Sequence, residues 1–154
     1  MDPWLQPAAH ALVQAGEEIE RAAAPLTTDE LWVAPGGAAS VGFHLRHVAG
    51  SIDRLLTYAR RGALDSAQLA ALSVERQPGT PPADVATVLA GARGAIDRAL
   101  AEIRRTPVAT LQEQRTVGRQ ALPTTVLGLL FHIGEHTQRH AGQVVTLARV
   151  VRGR

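Results

Sequence analysis

Apolar residues recur every three or four positions in four separate stretches of the chain. These stretches run from Pro3 to about Ala24, from Val41 to about Arg61, from Thr80 to about Arg105 and from Pro123 to about Val151. Side chains at this spacing lie on one face of a helix. The pattern therefore predicts four amphipathic helices, each with one face turned toward a shared core.

The segments between these stretches are rich in turn-forming residues or lack a sustained period. Residues 27–39 contain Pro35-Gly36-Gly37, residues 77–82 read QPGTPP, and residues 107–122 show no period and are predicted to be loop. A short helix is expected near residues 65–71. No strand pattern is evident, so we predict an all-α protein, a four-helix bundle formed by one domain over residues 1–154.

Composition limits the chemistry that this bundle can perform. Aromatic residues make up only 3% of the chain, so the core must consist mainly of Ala, Leu, Val and Ile. Cysteine is absent, which excludes disulfides, thiolate metal sites and a cysteine nucleophile. Lysine is absent as well, which excludes a Schiff-base mechanism. Any metal ion must therefore be held by histidine, carboxylate or water.

Charge and hydropathy give no sign of nucleic-acid or membrane binding. The 16 basic residues are all arginine and are interleaved with 14 acidic ones, so no face is obviously basic. The N-terminus lacks the basic and apolar regions of a secretory signal. No apolar run reaches the ~20 residues needed to span a bilayer. We expect a cytoplasmic protein that binds neither nucleic acid nor membrane.

The most informative stretch is FHIGEHTQRHAGQ, residues 131–143, in which His132, His136 and His140 follow each other at intervals of four. Residues four apart stack on one helix face, and two such imidazoles can bind one metal ion. His132 and His140 are ~12 Å apart along the axis, so all three cannot serve one ion. His136 and His140 lie closest to the apolar stripe and are the favoured pair. The alternative is that these histidines are exposed or merely hydrogen-bonded.

A second group of histidines, His44 and His47, lies on the second predicted long helix. Helical bundles build metal sites from side chains on facing helices. One of these residues together with the pair on the last helix would give three nitrogen ligands and leave positions open, as in catalytic rather than structural zinc sites. His44 lies nearer the apolar stripe than His47, so helical position alone slightly favours His44 as the third ligand.

The pieces SVGFHLRHVAGSIDRLL and LLFHIGEHTQRHAGQVV resemble the two signature segments of the DinB-like superfamily of metal-binding four-helix bundles, which includes the YfiT-type proteins. The resemblance covers essentially the whole chain. It implies that His47, His136 and His140 are the metal ligands, against the preference for His44 from helical position. His44 and His132 would then lie beside the ligands or line the pocket.

The same resemblance implies a function. Members of this superfamily are known or proposed to be thiol S-transferases that use bacillithiol, mycothiol or glutathione with a divalent metal such as zinc or nickel. Because this chain has no cysteine, the thiol would be a small molecule. The related maleylpyruvate isomerases carry a second domain that these 154 residues do not include, so we do not expect that activity.

Other functions are compatible with the same residues. The bundle could be a metal- or ligand-binding protein without turnover, or a structural bundle that dimerises through an alanine-rich helix. No catalytic residue can be assigned from the sequence. Glu75 or Glu135 could assist proton transfer, but we interpret both as solvated surface acids. Arg46 or Arg139 could bind a cofactor carboxylate, but we interpret both as surface charges.

Overall fold

A computed structural model describes residues 1–153, which form six α-helices, one two-stranded hairpin and three short 3-10 turns. The helices are α1 (Gln6–Ala23), α2 (Thr28–Trp32), α3 (Val41–Ala59), α4 (Ser66–Val74), α5 (Val85–Arg105) and α6 (Val126–Val151). The strands β1 (Gln114–Val117) and β2 (Leu122–Thr125) pair antiparallel between α5 and α6.

The four long helices form a bundle, which confirms the predicted fold class. Helix α6 packs against both α1 and α3, and α5 packs against α3 and α1, so the four helices surround one core. The core consists of leucine, isoleucine, valine and alanine, as the composition requires. Among the described residues, no helix combines the length and the apolar composition that crossing a lipid bilayer requires.

Helices α1 and α6 approach each other closely at Gly134. A Cβ atom at this position would lie 3.0 Å from the Ala8 carbonyl oxygen and 3.1 Å from the Ala8 Cα. Both of these atoms belong to the backbone of α1 and cannot move aside as a flexible side chain could. The contact therefore restricts the rotation of α6, and with it the direction in which the α6 histidines point.

The prediction for residues 107–122 was wrong, because a hairpin replaces the expected loop. The turn between β1 and β2 places Gly118 at φ 74° and Ala121 at φ 47°. The Arg115 side chain reaches back from β1 and donates a hydrogen bond of 2.7 Å from Nε to the Ala59 carbonyl oxygen at the end of α3. Long-range contacts of this kind stabilise strands that are too short to show a local pattern.

Two helices begin later than predicted. Helix α5 starts at Val85, where the Asp84 side chain accepts a hydrogen bond from the Thr87 amide, and α6 starts at Val126 after the Thr125 cap. Such N-caps satisfy amide groups that have no partner within the helix. The prolines near residues 80 and 123 therefore precede these helices and do not open them.

Helix α4 lies on the outside of α3, and the chain that follows it is held against α3 by side chains. The Arg46 guanidinium donates hydrogen bonds to the backbone carbonyls of Gln77 and Pro78 and lies 4.6 Å from the centroid of the Trp32 ring. Arg46 is thus engaged in a structural role. Its contacts fix the segment 74–78 beside the histidines of α3.

Candidate metal centre

Helix α6 supplies two histidines to the site. His136 and His140 are separated by one turn, and their ring centroids are 4.6 Å apart. His140 is buried and His136 is half-buried. The buried side chains Ile133, Thr137 and Val144 flank them on the same helix, so the pair lies at the edge of the core, as the apolar stripe predicted.

Helix α3 brings His47 to the same place. Its Nε2 atom lies 3.1 Å from the Nε2 atom of His136, and its ring centroid is 4.6 Å from that of His140. His47, His136 and His140 each offer one nitrogen, and these three nitrogens lie within 4.8 Å of one another. We refer to these residues as the three-histidine cluster. Its existence confirms that imidazoles from α3 and α6 converge.

His44 lies beside the cluster and touches one of its members. Its Nδ1 atom is 2.8 Å from the Nδ1 atom of His140, and the residue is only 7% exposed. One of the two nitrogens must donate the hydrogen in this bond. With Nδ1 of His140 engaged in this way, Nε2 is its remaining nitrogen. Helical position alone favoured His44 as the third ligand, but the nitrogen that completes the group of three belongs to His47.

His132 lies at the surface next to the cluster. Its ring centroid is 5.4 Å from that of His136, and its Nδ1 atom is 2.6 Å from Oε1 of Glu135. Both side chains of this pair are exposed, at 45% and 57% respectively. Glu135 is therefore a surface acid, as expected from the sequence.

Glu75 is the residue of this site that the sequence interpretation placed wrongly. It is 5% exposed, its Oε2 atom lies 2.7 Å from Nδ1 of His47, and its Oε1 atom accepts a hydrogen bond of 2.8 Å from Arg54. It follows an α4 helix that has no buried residue, so no local periodicity marks it as buried. Only the docking of segment 74–78 on α3 brings it to His47.

The electrostatic surroundings keep this carboxylate ionised. Burial by itself would raise the pKa of Glu75, but the hydrogen bonds from His47 and Arg54 outweigh it, and the pKa is lowered. An ionised carboxylate only accepts hydrogen bonds. In this contact Nδ1 of His47 is therefore the donor, and Nε2 of the same ring faces His136 on α6.

Two members of the cluster are neutral at physiological pH. Burial, followed by the proximity of His47, lowers the pKa of His136 to about 4 and that of His140 to about 3. Burial is also the main reason that the pKa of His44 is lowered to about 4. Neutral imidazoles have a free lone pair, which metal coordination requires.

We expect the metal-free protein to lose stability when the pH falls from 7 to 5. The pKa values of His44, His136 and His140 are lower in the folded than in the unfolded chain, so the unfolded chain takes up protons first and unfolding becomes more favourable. Their contribution is complete above pH ~6.5 and is lost as the pH falls toward the folded values.

Differential scanning calorimetry in the presence of a chelator measures this effect. The melting temperature should fall by more than about 4 °C over this range, which corresponds to ~1 kcal/mol for a chain of this size. The variant His140→Gln, which lacks the histidine with the lowest pKa, should show a smaller fall. A melting temperature that does not change between pH 7 and 5 would contradict this prediction.

Comparison with known proteins agrees with the fold. The family model of the DinB superfamily matches residues 11–144, and the chain belongs to this superfamily. A solved structure, described as a conserved protein from Enterococcus faecalis, superposes with a TM-score of 0.79 at 18% sequence identity. The match covers 100% of this chain and 99% of that one. A comparison with curated proteins found no match.

Proposed function

We propose that this protein binds a divalent metal ion through His47, His136 and His140 and uses it in the transfer of a small-molecule thiol. The observation that carries the proposal is the convergence of three imidazole nitrogens within 4.8 Å. A tetrahedral ion with metal–nitrogen bonds of ~2.0–2.1 Å separates its ligand atoms by ~3.3 Å. The 3.1 Å between the Nε2 atoms of His47 and His136 is close to this value.

The chemistry of these donors suits zinc or nickel. Both metals accept imidazole nitrogen, and three protein ligands leave a position for an exogenous molecule. The cluster also has access to solvent, because the His47 side chain is 20% exposed and His136 is half-buried. Solvent therefore reaches two of the three proposed ligands.

A bound divalent ion would lower the pKa of a thiol or water molecule, so that a nucleophile exists at neutral pH. The chain itself has no thiol. The candidates are the small-molecule thiols bacillithiol, mycothiol and glutathione, and the electrophilic partner is likewise a small molecule. Glu75 is not free to accept a proton from either substrate, because its two oxygens are engaged by His47 and Arg54.

Two measurements test this function in sequence. Elemental analysis of the purified protein without an affinity tag should find one equivalent of a divalent metal. Each thiol is then offered with a chromogenic electrophile, and product formation should require both the metal and one particular thiol. A protein that binds the metal but turns over none of the three thiols would instead be a metal- or ligand-binding bundle. A protein without measurable metal affinity would rule out the proposed centre.

A further inference from the structure

We propose that Glu75 is a positioning residue of the three-histidine cluster, which holds the ring hydrogen of His47 on Nδ1 and aims Nε2 toward α6. This inference rests on the proposed function, since it concerns how the chain prepares one ligand before a metal arrives. Glu75 does not belong to any of the four long helices. It lies in the segment that follows α4.

The contact has the geometry of a strong hydrogen bond. The Nδ1–Oε2 distance of 2.7 Å is short, as is typical of bonds to an ionised acceptor. Histidine ligands commonly donate their second ring nitrogen to a carboxylate, which fixes the tautomer and the ring orientation. Phe43 supports the same ring from another side, because its ring stacks on His47 at a centroid distance of 5.4 Å.

Arg54 makes this arrangement specific for a carboxylate. It donates to Oε1 of Glu75 at 2.8 Å, and arginine cannot accept a hydrogen bond. The side chain at position 75 must therefore offer one acceptor to Arg54 and a second acceptor to His47. A carboxylate provides both, whereas an amide provides one acceptor and one donor.

Gly50 on α3 leaves space for this pair. A Cβ atom at position 50 would lie 2.5 Å from Oε1 of Glu75 and 2.7 Å from a terminal nitrogen of Arg54. Glycine in the middle of a helix is unfavourable relative to alanine, so the chain tolerates a local cost at this position. The absence of a side chain at Gly50 allows the carboxylate to lie directly against α3.

The variant Glu75→Gln tests the proposal. Arg54 should donate its hydrogen bond to the amide oxygen of the glutamine. The amide nitrogen would then face Nδ1 of His47, and because that nitrogen only donates, Nδ1 would have to accept the hydrogen bond. The ring hydrogen would then move to Nε2 and block coordination. We expect metal affinity to fall ~10- to 100-fold, measured by isothermal titration calorimetry with Zn²⁺. Long-range ¹H–¹⁵N spectra of the metal-free protein should show His47 protonated on Nδ1 in the wild type and on Nε2 in the variant.

Glu135→Gln is the matched control. Glu135 also contacts the Nδ1 atom of a histidine, but that histidine is His132, which lies outside the cluster. It should leave both the affinity and the His47 tautomer unchanged. Wild-type affinity in Glu75→Gln, an unchanged tautomer in that variant, or an equal loss of affinity in Glu135→Gln would each overturn the proposal.

A second variant tests the positioning role of Glu75 without replacing Glu75 itself. Gly50→Ala should displace the flexible ends of Glu75 and Arg54, and metal affinity should fall although alanine favours the helix. Gly91→Ala on α5 is its control, since a Cβ atom there would meet nothing within 4 Å. Unchanged affinity in Gly50→Ala would contradict the positioning role.

These experiments separate the positioning role from the proposed function. If the wild type binds no Zn²⁺, the proposed function fails, whereas the tautomer of His47 in the metal-free protein still tests the role of Glu75. If the wild type binds Zn²⁺ and Glu75→Gln binds it equally well, only the positioning role fails.

Discussion

His136→Ala is expected to weaken binding of a divalent metal by more than ~100-fold without unfolding the bundle. Loss of a residue that only supports a ligand costs about 10- to 100-fold in affinity, and loss of the ligand itself should cost more. His136 is half-buried at the edge of the core, so its replacement leaves the apolar packing of α6 in place. Isothermal titration calorimetry with Zn²⁺ measures the affinity, and circular dichroism checks the fold.

The matched control for this experiment is His132→Ala, one turn earlier on α6. His132 is exposed and pairs with Glu135, and exposed ion pairs of this kind contribute little energy. Removing His132 should therefore change the metal affinity by less than a factor of ~3. Equal losses in the two variants would indicate a site different from the three-histidine cluster. Retention of wild-type affinity by His136→Ala would exclude the cluster as the binding site.

Leu130→Ala should be the most destabilising of the substitutions considered, with a loss of ~2–5 kcal/mol in the free energy of unfolding. Leu130 is 0% exposed, and its truncation removes apolar contacts and leaves a cavity in the core. Urea denaturation followed by circular dichroism measures the loss as a shift of the midpoint.

Leu69→Ala on α4 is the corresponding control, because Leu69 is 46% exposed. The same chemical change should there cost no more than ~0.5 kcal/mol. If both leucines gave similar losses, the core would not lie where the four long helices enclose it. A loss below ~1 kcal/mol in Leu130→Ala would likewise contradict the described packing.

The long helices could be predicted from the sequence because their information is local. A buried helix face requires apolar residues at a period of about 3.6, and residues such as Leu45, Ile52, Leu130 and Ile133 show that period directly. The stacked pair His136 and His140 could be predicted for the same reason, because residues four positions apart lie next to each other on one face of a helix.

The choice between His44 and His47 was not determined by local information. The two residues are ~60° apart around α3, and both border its apolar stripe. Which of them meets the α6 pair depends on the rotation and the crossing of two helices that are far apart in sequence. The resemblance to the DinB-like proteins pointed to His47, and the structure places His47 in the cluster.

The hairpin and Glu75 were missed because long-range contacts define them. The four-residue strands β1 and β2 are stabilised by each other and by the Arg115 contact to α3, neither of which leaves a periodic pattern. Glu75 is an acid that follows an exposed helix, and glutamate side chains are rarely buried, so the sequence predicts that it is exposed. It is buried because three side chains of α3, Arg46, His47 and Arg54, bind the segment around it.

The close contact between Gly134 and Ala8 has a consequence for how the two sides of the cluster can adjust. His136 and His140 follow Gly134 on the same continuous helix, so their backbone positions move only together with α6, and the backbone of α1 limits that movement. His47 is carried by a different helix and is steered by a side chain from a surface segment. If the cluster binds a metal ion as proposed, adjustment to ions of different radius would therefore come from the α3 side, while the α6 pair would stay in place.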